Sequence, residues 1–206
     1  MRSTKLTVLL IVLSANLDSR ALAQFANEVQ TSLAQLQDKT TCDEAYGRLK
    51  ALAQGNPEAR KYLAERLPNM IGQASPAKWF NPVWRNSVHL AGDLKISEAI
   101  PILIAELDSD TYGGPSTMTS RDRLDDDPPG KALVQIGGAA IEPVRSVLED
   151  KEKSQQTRMR AALVLYNMNS PEADAALAHD LQTEQDQRLR LAIETRLKRH
   201  SNSSPH

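Results

Sequence analysis

The chain has 206 residues, 40% of them apolar and 25% charged, with a formal net charge of −1. These values are ordinary for a soluble globular protein, and a chain of this length is typically one domain. The slight negative charge argues against nucleic acid as a partner, because proteins that bind nucleic acid concentrate positive charge. Helix-favouring residues such as Ala, Leu, Gln, Glu and Arg are plentiful, which predicts an all-α fold.

The first 23 residues have the pattern of a secretory signal peptide. Arg2 and Lys5 precede the apolar run 6–13, and Ala21 and Ala23 are small residues before a cut that follows Ala23. A membrane anchor is the alternative, but the run is shorter than the ~20 residues of a spanning helix. We therefore expect an exported protein, periplasmic or extracellular, with no membrane insertion after cleavage.

Apolar residues recur at helical spacing along residues 24–199 and predict a series of helix pairs. A leading helix is expected near 25–38 and a closing helix near 186–199. The four predicted pairs lie near 41–68, 82–108, 129–150 and 156–182.

Four positions have the residue types that begin helices. Thr41 with Glu44 has the pattern of a capping box. Asn56 and Ser170 are each followed by proline and glutamate, as expected for a cap and a first helical turn. Ser97 is expected to cap the second helix of its pair.

The cluster WFNPVW at 79–84 contains both tryptophans of the chain. Asn81 and Pro82 predict a cap and a first helical residue, which places Trp84 on the core side of the helix. We predict that the cluster fills a joint between the N-terminal pair and the pairs that follow, with an exposed binding site as the alternative. The predicted joint residues are Trp79, Phe80 and Trp84.

When the first helices of the pairs are aligned with one another, three positions, or columns, hold similar residues in each helix. The first position is small, the next is bulky and aliphatic, and the third, three residues after the second, is mostly apolar. The small column is Ser87, Ala132, Ala162 and Ala192. The bulky column is Val88, Leu133, Leu163 and Ile193. The third column is Ala91, Ile136, Tyr166 and Arg196, and we interpret Arg196 as the polar outer face of a closing helix.

The segments 85–107, 130–150 and 158–181 are similar to HEAT-type repeats, especially the short bacterial kind named after phycobilisome lyases. The residues that carry the resemblance are Ala91-Gly92 and Ile136-Gly137 at the ends of first helices, and Ile100-Pro101 and Glu142-Pro143 in second helices. The resemblance implies an α-solenoid of about four HEAT-like helix pairs with a leading and a closing helix, spanning 24–199. Residues 200–206 are expected to be a disordered tail.

The segment 108–129 interrupts the repeats with six aspartates and three prolines. Its first residues resemble half of a calcium loop, but Tyr112 and Thr119 stand where an EF-hand needs an oxygen ligand and a glutamate, so we predict no tight calcium binding. Long loops on a rigid scaffold often carry specificity. The candidate partner-binding residues are Asp110, Tyr112, Arg121, Asp122 and Arg123.

The sequence contains no motif for catalysis, a cofactor or a metal centre. The histidines at 89, 179, 200 and 206 are isolated, and Cys42, the only cysteine, is expected to be a small buried side chain. We therefore predict no catalytic, cofactor-binding or metal-binding residue, and a non-catalytic scaffold that binds a protein or peptide on a concave face. A lyase-like enzyme or enzyme accessory with a site on that face is the alternative.

Overall fold

The computed structural model describes residues 26–73, 81–107, 124 and 127–203, with side chains up to residue 200. These residues contain helices and no strand, which confirms the all-α class. Helix α1 covers residues 26–36. The other helices are α2 (Cys42–Gly55), α3 (Pro57–Gly72), α4 (Pro82–Asp93), α5 (Ile100–Leu107), α6 (Pro128–Ile136), α7 (Gly138–Glu149), α8 (Gln155–Met168), α9 (Pro171–Thr183) and α10 (Gln187–Ser203).

The helices contact one another in two series. The first helices, α2, α4, α6, α8 and α10, each contact the next member in that order. The second helices, α3, α5, α7 and α9, do the same, and the two series also contact each other. The buried leucines of both series, such as Leu49, Leu63, Leu133 and Leu177, belong to one continuous core.

Small side chains bring α4 and α6 close together. Ser87 and Ala132 are fully buried, and a Cβ atom built on Gly92 would lie 2.8 Å from the Ala132 Cα. Gly92 is the next-to-last residue of α4, at the end of its helix as predicted, and it is also the glycine at which α4 contacts α6. Gly137 does end α6, with a φ of +80° that an L side chain rarely adopts.

The helix starts confirm the cap predictions at two positions. The Asn56 side chain accepts hydrogen bonds from the backbone N–H of Glu58 and Ala59, at 2.8 and 3.4 Å. The Ser170 hydroxyl accepts one from Ala173 N at 3.2 Å. Each cap is followed by proline at the first helical position.

The cap predictions at Thr41 and Ser97 are wrong. Thr41 precedes α2 in a helical rather than an extended conformation, and its hydroxyl donates to the Gln35 carbonyl at 2.8 Å instead of capping. Ser97 opens the 3₁₀ turn Ser97–Ala99 without a side-chain cap, and its hydroxyl donates to Glu98 at 3.3 Å.

The C-terminal helix differs from the prediction in length and in the role of Arg196. Helix α10 continues to Ser203, into the segment 200–206 that was expected to be a disordered tail. Arg196 is 7% exposed, with its guanidinium 5.8 Å from the Tyr166 ring centroid, rather than on a polar outer face. His200 stacks on the same ring at 4.3 Å and lies 2.8 Å from Asp174, which holds the last turns against α8 and α9.

Arg160 joins the two ends of the inserted segment. Its guanidinium donates to the Leu107 carbonyl at one end and to both carboxylate oxygens of Asp127 at the other, at 3.1 and 2.9 Å. Asp127 also accepts from Gly130 N and so caps α6. The ends of the segment are therefore fixed on α8, while the residues between Leu107 and Asp127, except Leu124, lie outside the described part of the chain.

Trp84 is 1% exposed, which confirms its predicted burial. Asn81 caps α4 by accepting from Val83 N at 3.1 Å, and α4 contacts both α2 and α3, so the Trp84 helix packs on the N-terminal pair. Trp79 and Phe80 lie outside the described residues.

We expect Trp84→Ala to lower the free energy of unfolding by about 3–5 kcal/mol, because it leaves a large cavity in the core. Urea unfolding followed by circular dichroism measures this. Leu191→Ala is the control, because that side chain is 64% exposed and should change the free energy by less than about 0.5 kcal/mol. Equal effects of the two substitutions would contradict the burial of Trp84.

We expect Gly92→Ala to destabilise the protein by about 1–3 kcal/mol, because the added methyl group overpacks the α4–α6 contact. Gly47→Ala is the matched control within α2, where a Cβ meets no atom within 4 Å. That change should stabilise the protein by about 0.5–1 kcal/mol through helix propensity alone. Thermal unfolding measures both effects. If Gly92→Ala stabilises the protein as Gly47→Ala does, then α4 and α6 are farther apart than described here.

Candidate functional site

A polar network connects three consecutive first helices on their outer face, the side away from the core. Asp93 of α4 is at its centre. Tyr46 of α2 donates a short hydrogen bond to Asp93 Oδ2, and Lys50 Nζ donates to the same oxygen at 2.6 Å. Gln135 of α6 donates to Oδ1 at 2.9 Å. We call this network with its neighbours the Asp93 cluster, which comprises Tyr46, Lys50, His89, Asp93, Lys131 and Gln135.

The cluster arises from a simple spacing in the sequence. Each of α2, α4 and α6 contributes two residues four positions apart, which places both on one side of a helix. The pairs are Tyr46 with Lys50, His89 with Asp93 and Lys131 with Gln135. Because α4 lies between α2 and α6 in the contact order, the three pairs come together at Asp93.

Asp93 is held as an ionised carboxylate. Its side chain is 15% exposed, and this burial acts to raise its pKa. The hydrogen bonds from Lys50 and Tyr46, the charge of Lys50 and the bond from Gln135 outweigh burial and lower the pKa. Asp93 therefore stays negative at neutral pH and acts as a hydrogen-bond acceptor.

Two neighbouring groups, Tyr46 and His89, are held in their neutral forms. Burial, followed by the hydrogen bond to Asp93 and its charge, raises the pKa of Tyr46 well above its usual value. Half-burial lowers the pKa of His89, and the charges of Lys131 and Arg85 lower it further, against the opposing effect of Asp93. At neutral pH the cluster thus offers a phenol, a neutral imidazole, an amide and ammonium groups, which are suited to recognition by hydrogen bonds and charge.

A second charged cluster lies inside the protein. Arg158 of α8 forms an ion pair with Glu184 and donates to the Leu148 carbonyl at 2.8 Å. Lys151 lies 2.8 Å from Glu184 and 3.6 Å from Asp180. Burial raises the pKa of Asp180 in spite of Lys151 and Arg158. Because Arg158, Asp180 and Glu184 are buried, this cluster fixes the connections between α7, α8 and α9 rather than meeting a ligand.

The structure places the other chemically interesting residues apart. Cys42 is buried, and burial, followed by the Asp43 charge, raises the pKa of its thiol, as expected for a packing cysteine rather than a nucleophile. His179 lies 2.9 Å from Glu149 on second helices, and His200 belongs to the α10 contact. Among the described residues no group of three His, Cys, Asp or Glu side chains is arranged to hold a metal ion.

The partner-binding candidates from the sequence lie outside the described residues: Asp110, Tyr112, Arg121, Asp122 and Arg123. The Asp93 cluster was not predicted. Its sequence signal, two polar residues four positions apart in each of three helices, is visible only once the helices are aligned by their contacts.

No family model matches the chain, and no curated protein compared with it is significantly similar. Within the described helices, none is both long and apolar enough to span a membrane.

We expect Asp93→Asn to lower the free energy of unfolding by about 1.5–3 kcal/mol at neutral pH, because it weakens hydrogen bonds to a charged acceptor. The pKa of Asp93 is lowered by folding. The contribution of ionised Asp93 to the free energy of unfolding is therefore complete above the pKa of an aspartate in the unfolded chain, about 3.9. It is lost as the pH falls through the lower pKa that Asp93 has in the folded protein.

Urea unfolding of wild type and variant at a series of pH values measures this difference. Glu142→Gln is the control, because Glu142 is in an exposed helix ion pair that contributes about 0.5 kcal/mol or less. A difference for Asp93→Asn that stays constant down to about pH 2 would contradict the ionised Asp93 cluster.

Proposed function

We propose that this protein is an exported, non-catalytic scaffold that binds a protein or peptide partner on the outer face of its first helices, in place of the concave face expected from the sequence. The observation that carries the proposal is the Asp93 cluster, in which side chains of α2, α4 and α6 form one polar surface. A surface shared by consecutive helices can contact an extended stretch of a partner.

The helix contacts support the proposed architecture. Two parallel series of contacts, one for first helices and one for second helices, are what an α-solenoid of HEAT-like pairs requires. The small-residue column at Ser87, Ala132 and Ala162 gives the first helices a repeating contact surface. We propose membership of this architecture on these contacts together with the sequence resemblance.

Export rests on the sequence alone. The charged, apolar and small-residue regions of the first 23 residues have the order of a signal peptide, but they lie outside the described residues. The single cysteine is consistent with this proposal, because an exported protein without a disulfide depends on a large core such as the one observed here.

An enzyme or lyase-like enzyme accessory is the second candidate, favoured by the proximity of His89, Asp93 and Tyr46 on one surface. The raised pKa of Tyr46 and the lowered pKa of Asp93 hold both groups far from proton transfer at neutral pH. This candidate predicts that His89→Ala abolishes turnover of a bound partner and leaves its binding intact.

Site-specific photo-crosslinking in the producing cells tests the binding proposal. The photoreactive residue replaces Gly47 of α2 or Lys131 of α6, which are exposed on the outer face of the first helices. In the control variants it replaces Glu65 of α3 or Glu142 of α7, which are exposed on second helices. We expect one discrete adduct from both first-helix positions, identified by mass spectrometry as the same protein, and none from the controls. Adducts from all four positions, or from neither first-helix position, would contradict the proposal.

A further inference from the structure

Two buried carboxylates lie one helical turn apart at the end of α9. Asp180 is 0% exposed and Glu184 is 4% exposed. The Glu184 backbone N–H donates to the Asp180 carbonyl at 2.9 Å, which fixes their spacing. Side chains four positions apart lie on the same side of a helix, so the two carboxylates compete for the same donors.

Glu184 accepts the hydrogen bonds of this cluster. One of its oxygens accepts from Arg158 and from Lys151 Nζ, the latter at 2.8 Å. The other accepts from the two backbone N–H groups that follow it in the chain, at 2.8 and 2.7 Å. Within the part of the chain that the structure describes, neither carboxylate oxygen of Asp180 accepts a hydrogen bond. Its ion-pair partner is Lys151, whose Nζ lies 3.6 Å from Oδ1.

Charged groups from every element around α9 surround Asp180. Glu149 belongs to α7, Lys151 to the connection that follows α7, and Arg158 to α8. From α10, Arg190 donates to two carbonyl groups at the end of α9, both at 3.0 Å. Burial raises the pKa of Asp180. Lys151 and Arg158 oppose this without cancelling it, and the Glu149 charge acts in the same direction as burial.

The ionised form of Asp180 is the unfavourable one in this environment. A buried carboxylate that accepts no hydrogen bond loses its hydration and gains little in return, whereas the protonated form carries no charge to desolvate. The ammonium group of Lys151 could stabilise an ionised Asp180 more closely only by moving away from Glu184, which it already contacts. The two carboxylates therefore cannot both be well paired.

We propose that Asp180 is the proton-binding group of a switch at the junction of α7, α8 and α9. Protonated, Asp180 packs as a neutral residue and Lys151 stays on Glu184. Ionised, Asp180 competes with Glu184 for Lys151 and loosens the junction. The switch does not involve the Asp93 cluster, so it does not depend on whether the outer face binds a partner.

The direction of the pH effect is opposite to that of Asp93. The pKa of Asp180 is higher in the folded protein than the value of about 3.9 for an aspartate in an unfolded chain. Its contribution to stability is therefore complete below about pH 3.9 and is lost as the pH rises through the pKa of the folded state. The junction should be tightest at acid pH and looser above this window.

Carbon-13 NMR of protein labelled at the aspartate carboxyl groups tests the proton site directly. The Asp180 signal is the one that disappears in Asp180→Asn. We expect it to titrate at higher pH than the aspartates of the same protein unfolded in urea. In Lys151→Gln it should titrate at still higher pH, because the opposing positive charge is removed. Titration at or below the pH of the unfolded chain, or no movement in Lys151→Gln, would overturn the inference.

Hydrogen exchange, corrected for the intrinsic pH dependence of the amide rates, tests the loosening. Within the window, protection of the amides at the end of α9 should fall by up to about tenfold per pH unit, as a difference of one bound proton requires. Amides of α3 serve as the internal reference. Asp180→Asn should abolish the fall, and Glu172→Gln, which removes an exposed charge from the same helix, should retain it.

The comparison concerns the slope with pH, so it holds even if the substitution itself changes the stability of the junction. Asp180→Leu, which can neither ionise nor donate a hydrogen bond, gives a second variant that should show no fall. A fall that persists in both Asp180 variants, or one of equal size in α3, would overturn the switch.

Discussion

The close approach of α4 and α6 is the constraint on which the outer face depends. Gly92 lies so near Ala132 that a single added carbon would contact the backbone of the neighbouring helix. At this separation the Gln135 side chain reaches Asp93, which Lys50 and Tyr46 reach from the other side. A larger residue at Gly92 would separate α6 from Asp93 and divide the surface. Small core residues thus determine which polar groups meet on the outside.

Charged side chains fix the connections between helices in the C-terminal half of the protein. Arg160 joins the end of α5, the start of α6 and α8, and so fixes both ends of the inserted segment. Arg158 and Glu184 do the same for the connections around α8 and α9. Buried ion pairs contribute little net stability but penalise alternative arrangements, because a separated partner would leave an unpaired buried charge. The outer face is therefore built on helices whose relative positions are well determined.

Periodicity predicted the helices well because each buries an apolar stripe, and Trp84 was placed in the core by the cap and proline before it. The wrong predictions concern polar side chains that could form more than one interaction. Thr41 bonds to Gln35 rather than capping, and Arg196 packs on the Tyr166 ring rather than facing solvent. The Asp93 cluster could not be predicted, because Asp93 lies more than 40 positions in the sequence from each of its three donors, on helices whose register only packing determines.

The central claim is that α2, α4 and α6 present one continuous surface through Asp93. A double-mutant cycle with Tyr46→Phe and Gln135→Leu tests it most directly, because these residues lie on α2 and α6 and share Asp93 as their acceptor. If the claim holds, the free energies of unfolding show a coupling of about 0.5–1 kcal/mol, as expected for members of one hydrogen-bond network. Strictly additive effects would mean that α2 and α6 act independently, and would contradict a shared surface.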